Sequence, residues 1–247
     1  EPLGSTITAD QKEATVQANP ERIKASVAAM PSLFYDFGKV LGETYHSDFG
    51  YPAIMMWTDS RGTDMVSPIT GYNWFSSAVE YTDIQPTGVG TNLIWRSIYK
   101  QLYAVNAVTS MIAPDTEDDD LKFYLANAYA IRAFDYFTLA QLYQHTYVGN
   151  ENKPCVPIIT EKNADEAGAN GCARSTVAEV YNQIMKDLND AIELLSTTKT
   201  TRPDKRYVSL EVAYGIRARV NLVMNNWADA AADAEMALKG DATPYTM

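Results

Sequence analysis

Cysteine and histidine are scarce in this sequence, whose 247 residues contain two of each. Cys155 and Cys172 do not form a C-x-x-C pair, and His46 and His145 are far apart, so Cys and His cannot assemble a zinc site. For an exported protein, a Cys155–Cys172 disulfide and two free thiols are both open alternatives, because spacing alone does not establish a bond. We predict no metal site.

The motifs of the common catalytic classes are absent. There is no G-x-S-x-G, H-E-x-x-H or G-x-x-x-x-G-K-[ST] pattern, and two separate histidines provide no Ser-His-Asp set. The stretch "TGVGTN" (87–92) leads into a helix but lacks a preceding strand and a lysine, which favours a turn over an anion site. Asp59 and Asp64 could form a glycosidase carboxylate pair, but two acids near aromatic rings also suit a sugar-binding loop. We predict a protein that is not an enzyme and uses no cofactor.

Positive charge and long apolar runs are also limited. Twenty Lys and Arg face 31 Asp and Glu, and the net charge of -11 disfavours nucleic acid and anionic membrane surfaces as partners. No signal peptide and no 18-residue apolar run is present. The first residues, "EPLGSTITADQ", indicate a mature or trimmed end.

Apolar residues at helical spacing dominate the rest of the chain, of which 46% is hydrophobic. Asn19–Glu21 has the composition of a helix start, and Pro31 is expected to kink or split that helix. Its continuation through Phe34, Phe37 and Val40 would end at Gly42. A second helix is predicted over Leu93–Ile112, with Pro114 after it.

The stretch "YLANAYAIRAFDYFTLAQLY" (124–143) alternates alanines with large rings and is apolar around most of its circumference. Such a helix is buried on several sides. The acidic run Asp115–Asp120 before it favours the positive end of the helix and lacks the pattern of a calcium loop, so we interpret it as a solvated cap.

Three more helices follow. In "STVAEVYNQIMKDLNDAIELL" (175–195), Thr176 and Glu179 form a capping box. "SLEVAYGIRARVNLVM" and "WADAAADAEMALK" place alanines near the small positions of a tetratricopeptide repeat, although Asn221 stands where an aromatic residue is usual. No run with two-residue alternation predicts a strand, so the class is all-α.

One region differs. Glu43–Asn92 lacks a sustained helical stripe, is rich in Gly, Pro, Ser, Thr and Asp, and holds several Trp, Tyr and Phe residues. Irregular insertions of this length inside a compact domain are usually functional.

Four helical segments resemble the SusD/RagB family of outer-membrane nutrient-binding lipoproteins. The resemblance is carried by "IWRSIYKQLYAVNAV" (94–108), "IRAFDYFTLAQLY" (131–143) followed by Val156-Pro157, "RSTVAEVYNQIMKDLNDAIELL" (174–195) and "AYGIRARVNLVMNNWADAAADAEMAL" (213–238). It implies a SusD-like fold with tetratricopeptide-like helix pairs, here as a single domain over 1–247, with a long irregular aromatic-rich insertion at about 43–92.

The resemblance also implies a role. Family members are lipid-anchored at the cell surface on the outer membrane, cap a TonB-dependent (SusC-like) porin and capture glycans. They are about twice this long, so the chain resembles the N-terminal half, and its lipid anchor is expected in the full-length protein. A tetratricopeptide-like scaffold that binds a protein or peptide is the alternative.

The ligand site is expected in the aromatic insertion, because sugar C–H groups stack on aromatic faces while hydroxyls need polar groups at the ring edge. Candidate faces are Trp57, Tyr72, Trp74 and Phe75, and candidate edge groups are Asp59, Arg61, Asp64 and Asn73. The alternative for each ring is packing of the loop onto the helices, and Asp59 could pair with Arg61. Arg132 is predicted to be structural, and Trp95, Tyr99, Tyr136 and Tyr181 to lie in the core.

Overall fold

The computed structural model describes residues 9–42, 44–63 and 74–240. The helices in these ranges are α1 (Ala9–Ala18), α2 (Lys24–Ser32), α3 (Tyr51–Asp59), α4 (Ser76–Val79), α5 (Val89–Thr109), α6 (Asp119–Tyr143), α7 (Ala164–Asn170), α8 (Val177–Thr197), α9 (Leu210–Val223) and α10 (Trp227–Ala237). No strand is found in them beyond one isolated bridge between Pro154 and Thr176, which confirms the all-α prediction. None of the helices described is both long and apolar enough to cross a membrane.

The chain divides into two compact units. The helical unit comprises residues 1–27 and 102–247, and the aromatic unit comprises residues 28–101. The division falls inside α2 and α5. That 1–247 forms a single domain stays a prediction.

Helix α6 is the centre of the helical unit. Every residue from Phe123 to Ala140 is buried except Phe134, as its mixture of small and aromatic residues predicts. Asp118 caps the helix, because its carboxylate accepts a hydrogen bond from the Leu121 N–H at 2.9 Å. The prediction that the acidic run is a helix cap is therefore confirmed.

Helices α8, α9 and α10 follow in sequence order: α8 packs against α6 and α9, and α10 packs against α9. The capping box of α8 is confirmed: Thr176 Oγ1 accepts from the Glu179 N–H at 3.2 Å, and Glu179 Oε2 accepts from the Thr176 N–H at 2.7 Å. Between α9 and α10, Asn221 Nδ2 donates to Asp233 Oδ2 at 3.0 Å. A polar pair thus replaces the ring that this position has in most tetratricopeptide repeats.

The beginning of the aromatic unit corrects one prediction. Helix α2 ends at Ser32 and does not continue to Val40. The following backbone is held by a side chain instead, because Asp48 Oδ2 accepts hydrogen bonds from the Val40 N–H at 2.8 Å and the Leu41 N–H at 2.6 Å. Asp48 is fully buried, so this carboxylate fixes the loop from inside.

The segment predicted as irregular contains two helices. Helix α3 has Pro52 in its first turn and buries Ala53, Ile54 and Trp57, and the short α4 follows the undescribed stretch. Helix α5 also begins at Val89, earlier than the predicted Leu93. The helical stripe of α3 is only three residues long, which is too short to recognise in the sequence.

Candidate ligand-binding site

Two of the predicted stacking rings lie in the core of the aromatic unit. Trp57 is 1% exposed and Phe75 is 7% exposed. Their rings meet edge to face, with centroids 5.1 Å apart and an interplanar angle of 72°, and they pack with Ala53, Ala78 and Leu93. This corrects the prediction for both residues, because a ring enclosed in this way offers no face to a ligand.

The glycines of "TGVGTN" are explained by close packing around Trp57. A Cβ on Gly90 would lie 2.8 Å from Trp57 Cε3, and one on Gly88 would lie 2.1 Å from the Asp83 carbonyl oxygen. The Gly88 N–H also donates to the Gln85 carbonyl at 2.9 Å. The predicted turn is thus present only at the start of this stretch, because α5 begins at Val89. Gly90, in the first turn of that helix, allows the helix to pass directly over the tryptophan.

Arg61 is held by an acid that the sequence did not single out. Its Nη2 donates to Asp83 Oδ2 at 2.9 Å, and Asp83 is 3% exposed. The Arg61 carbonyl accepts a hydrogen bond from the Tyr81 hydroxyl. Its ion pair is thus with Asp83 and not with Asp59, which is exposed at the last turn of α3.

Trp74 has the exposure expected of a stacking ring, since 48% of its surface is accessible. One of its faces lies nearly parallel to the His46 ring, with centroids 5.3 Å apart and an interplanar angle of 14°. His46 is exposed as well. We call Trp74 and His46 the aromatic platform. Sequence reasoning missed His46, because a lone histidine was considered only as a metal ligand or a catalytic base.

The loop that carries His46 is ordered by its own hydrogen bonds. The Tyr45 N–H donates to the Gly42 carbonyl at 3.0 Å, and the Asp48 N–H donates to the Tyr45 carbonyl at 2.9 Å. Together with the buried Asp48 carboxylate, these bonds fix the loop on both sides of His46. The predicted contacts Asp64, Tyr72 and Asn73 lie outside the described residues.

The helical unit contains a separate cavity of about 560 Å³. Arg132 lies in its wall, where Nε and Nη2 donate to the two carboxylate oxygens of Asp187 at 2.8 and 2.7 Å, and Nη1 donates to Glu161 Oε2 at 2.6 Å. The guanidinium carbon also lies 5.2 Å from the centre of the Tyr129 ring. These contacts connect α6 to α8, as the structural interpretation of Arg132 predicted.

Burial alters the acid–base properties of this cluster. Burial opposes the charge of Arg132, but the hydrogen bonds and negative charges of Asp187 and Glu161 together outweigh it and raise the pKa of the guanidinium. Burial also acts against ionisation of Glu161, yet the positive charge of Arg132 and the surrounding hydrogen bonds lower the pKa of that carboxyl below its usual value. The Arg132–Glu161 pair therefore remains charged at neutral pH, while burial raises the pKa of Asp187 above its usual value.

The two cysteines do not form a disulfide. Cys155 is a buried free thiol, and Cys172 is a half-buried one. Burial raises the pKa of Cys155.

The fold defines the class: an all-α protein whose last helices form a tetratricopeptide-like pair. A family model for SusD-like proteins, described as "Starch-binding associating with outer membrane", matches residues 22–222. The chain therefore belongs to the SusD-like family. The family description is one of binding and not of a reaction, in agreement with the prediction that the protein is not an enzyme.

Solved structures show the same fold. A SusD-like carbohydrate-binding protein from Bacteroides vulgatus has a TM-score of 0.77 and 24% identity, over 93% of this chain and 46% of that one. A SusD superfamily protein from Bacteroides fragilis has a TM-score of 0.68 and 22% identity, over 92% of this chain and 50% of that one. A laminarin-binding SusD-like protein has a TM-score of 0.64 and 22% identity, over 88% of this chain and 43% of that one. The chain thus spans about half the length of these structures. No curated protein matches it.

Proposed function

We propose that this chain takes part in capturing glycans or oligosaccharides at the outer surface of the cell, without transforming them, for delivery to a TonB-dependent, SusC-like transporter. The observation that carries the proposal is the aromatic platform. It presents a tryptophan that is 48% exposed, in a chain whose family is described as starch-binding and outer-membrane associated.

The platform suits a sugar for a physical reason. The C–H groups on one side of a sugar ring form an apolar patch, and the indole face of Trp74 is a flat apolar surface of similar extent. The His46 ring limits the freedom of the indole, because it is stacked on one indole face at 5.3 Å between centroids and only 14° from parallel. A ring that is fixed before binding loses less conformational entropy when the ligand arrives.

The polar part of the proposed site is smaller than the sequence alone indicates. Asp59 is exposed and remains a candidate hydrogen-bond acceptor for sugar hydroxyls, whereas Arg61 is committed to Asp83. Tyr72, Asn73 and Asp64 stay predicted contacts. The family match does not favour the alternative of a scaffold for peptides.

The test is glycan binding by Trp74→Ala, with Trp227→Ala as the matched control. Both side chains are exposed tryptophans, at 48% and 60%, but Trp227 begins α10 in the helical unit. We expect Trp74→Ala to weaken binding to starch, laminarin or another polysaccharide of a broad panel by about tenfold or more. Trp227→Ala should bind like the parent. Affinity electrophoresis followed by calorimetry measures both.

Two results would contradict the proposal. One is that no polysaccharide in the panel binds to the chain or to a longer version with the family's full length. The other is that the two alanine variants bind equally well. Release of reducing sugar by the purified protein would show turnover and contradict the non-catalytic part alone.

The partner and the anchor need separate measurements on the full-length protein in its native membrane. We expect a SusC-like transporter to copurify with it after mild detergent extraction, and mass spectrometry to find a lipid on its amino-terminal cysteine. Extraction without a transporter, or without a lipid, would contradict the corresponding part of the proposal.

A further inference from the structure

The cavity of the helical unit lies apart from the aromatic platform in the chain, and its wall contains residues of α6, α8 and the segments 114–117 and 160–162. We propose that it is a second ligand site, which binds a short uncharged sugar or a polyhydroxylated compound of similar size. Its volume of about 560 Å³ is within the range of ordinary small-molecule pockets, roughly 300–1,000 Å³.

The wall of the cavity is rigid where it is deepest. Arg132 is 3% exposed and makes two hydrogen bonds to Asp187 and one to Glu161. Glu161 is fixed in turn, because its Oε2 also accepts from Thr109 Oγ1 at 3.1 Å. Its side chain is 21% exposed, so part of an ionised carboxylate remains accessible at a fixed position.

Three wall residues offer polar atoms with no hydrogen-bond partner among the residues that the structure describes. They are the hydroxyl of Tyr129, the side-chain carbonyl of Gln183 and the ammonium of Lys162. The tyrosine hydroxyl can both donate and accept a hydrogen bond, the glutamine carbonyl can only accept, and the lysine ammonium can only donate. Burial raises the pKa of Tyr129 to about 12, so its hydroxyl keeps its proton at neutral pH. Sugar hydroxyls both donate and accept, so they can pair with each of these kinds of group.

The charges of the wall favour a neutral ligand. Lys122 pairs with Glu117 at 2.8 Å, and Lys186 pairs with Asp190. Arg132 is paired with both Asp187 and Glu161. Asp115, Lys162 and Glu193 have no ion pair among the described residues, but all three are exposed, so water screens their charges. An ion that enters the cavity therefore gains little from them and still loses part of its hydration.

The experiment measures binding of glucose, galactose, mannose and maltose to the 247-residue chain by saturation-transfer NMR and calorimetry, with glucuronate and glucosamine as charged probes. It is carried out in the parent and in Trp74→Ala, so that binding at the aromatic platform is removed. We expect a neutral sugar to bind in both backgrounds, more tightly than the charged probes, and to shift the side-chain amide signals of Gln183.

Substitutions of residues in the cavity wall test whether the sugar binds in this cavity. Tyr129→Phe removes only a hydroxyl and is expected to weaken binding by about three- to tenfold, while Tyr103→Phe removes the hydroxyl of a tyrosine that is 76% exposed on α5 and should change nothing. Thr197→Trp places an indole in the cavity and should abolish binding. Circular dichroism checks that each variant is folded.

The inference is overturned if no neutral sugar binds at millimolar concentration, if a charged probe binds more tightly than all neutral ones, or if Tyr129→Phe and Thr197→Trp both bind like the parent. These outcomes are independent of the platform. Loss of polysaccharide binding in Trp74→Ala together with unchanged monosaccharide binding would support two separate sites.

Discussion

Helix α6 and the aromatic unit use aromatic rings in opposite ways. In α6 the rings of Tyr136 and Phe137 are at most 1% exposed, and Phe137 meets Tyr181 of α8 edge to face with centroids 6.2 Å apart. Among the described residues of the aromatic unit, large rings are exposed by 45% or more at five positions: Tyr35, Phe37, Tyr45, Trp74 and Tyr81. The prediction of core positions from helical spacing is therefore confirmed for Tyr136 and Tyr181, whereas Trp95 and Tyr99 of α5 are only half-buried, which corrects the prediction for those two.

The helical unit and the aromatic unit also differ in the groups to which their buried aspartates bind. In the helical unit, Asp187 neutralises an arginine that joins two helices. In the aromatic unit, Asp48 accepts hydrogen bonds from loop N–H groups, and Asp83 holds Arg61. Helices satisfy their own backbone, so Asp187 can pair with a side chain, whereas the irregular backbone at Val40 and Leu41 needs Asp48 as an acceptor. Asp83 resembles Asp187, since it also pairs with an arginine.

The largest expected effect tests the ion pair of the helical unit. Asp187→Ala leaves the buried guanidinium of Arg132 without its bidentate partner and should lower the free energy of unfolding by about 3–5 kcal/mol. Asp190→Ala is the control one turn further along α8, where the pair with Lys186 is solvent-exposed, and should cost about 0.5 kcal/mol or less. Urea unfolding followed by circular dichroism measures both, and equal losses would contradict the comparison.

The next prediction compares two tryptophans of the aromatic unit. Trp57→Ala empties a core position and should cost about 3–5 kcal/mol, whereas Trp74→Ala should cost less than about 1 kcal/mol. The melting temperature and the urea midpoint report the difference. If Trp74→Ala were as destabilising as Trp57→Ala, then Trp74 would be a packing residue and the aromatic platform would lose its main support.

Gly90 in the aromatic unit and Gly215 in the helical unit allow a comparison of how closely each backbone is packed. A Cβ on Gly90 would press against the Trp57 ring, so Gly90→Ala should cost about 1–3 kcal/mol. Gly215 in α9 has no neighbour closer than Ala237 Cβ at 3.8 Å, so Gly215→Ala should instead stabilise by about 0.5–1 kcal/mol through higher helix propensity. Thermal unfolding should therefore show shifts of opposite sign, and a loss at both positions would contradict this interpretation.

The smallest expected effect is a pH dependence of the free energy of unfolding, which we attribute to Asp135 in α6. Its carboxyl is 2% exposed, and burial raises its pKa well above the usual value. Once the pH exceeds the unfolded pKa of about 3.9, the native state holds this proton more tightly than the unfolded chain, so stability falls as the pH rises. Asp135→Asn removes the titration and should reduce that fall.

The measurement is urea unfolding from pH 4 to pH 8, with Asp165→Asn as the control, because Asp165 is exposed on α7. The control should follow the parent. If Asp135→Asn also follows the parent across this range, the carboxyl does not titrate differently in the two states, and the prediction fails.

The sequence was most informative where a helix carries a long stripe or a local cap. The capping box of α8 and the buried character of α6 depend on residues within a turn or two of each other, and both were predicted correctly. Helix α3 was missed because a nine-residue helix with three buried positions gives too short a pattern.

The site was harder to predict than the fold. Trp57 and Trp74 both belong to the segment that was predicted to be irregular, yet one packs under Gly90 and the other stacks on His46. The partner of Arg61 is 22 residues away at Asp83, although Asp59 is much closer in the chain. None of these pairings follows from local spacing.

By itself, the sequence determined the all-α class, the helix caps, the negative charge and the SusD-like family, because these depend on local spacing, on composition or on motifs contiguous in the chain. Only the tertiary structure decided which rings are exposed, which acid holds each arginine, and that a polar cavity exists beside α6. Those properties arise where distant segments meet, and the free energy of such contacts depends on distance and burial, which the order of residues does not show.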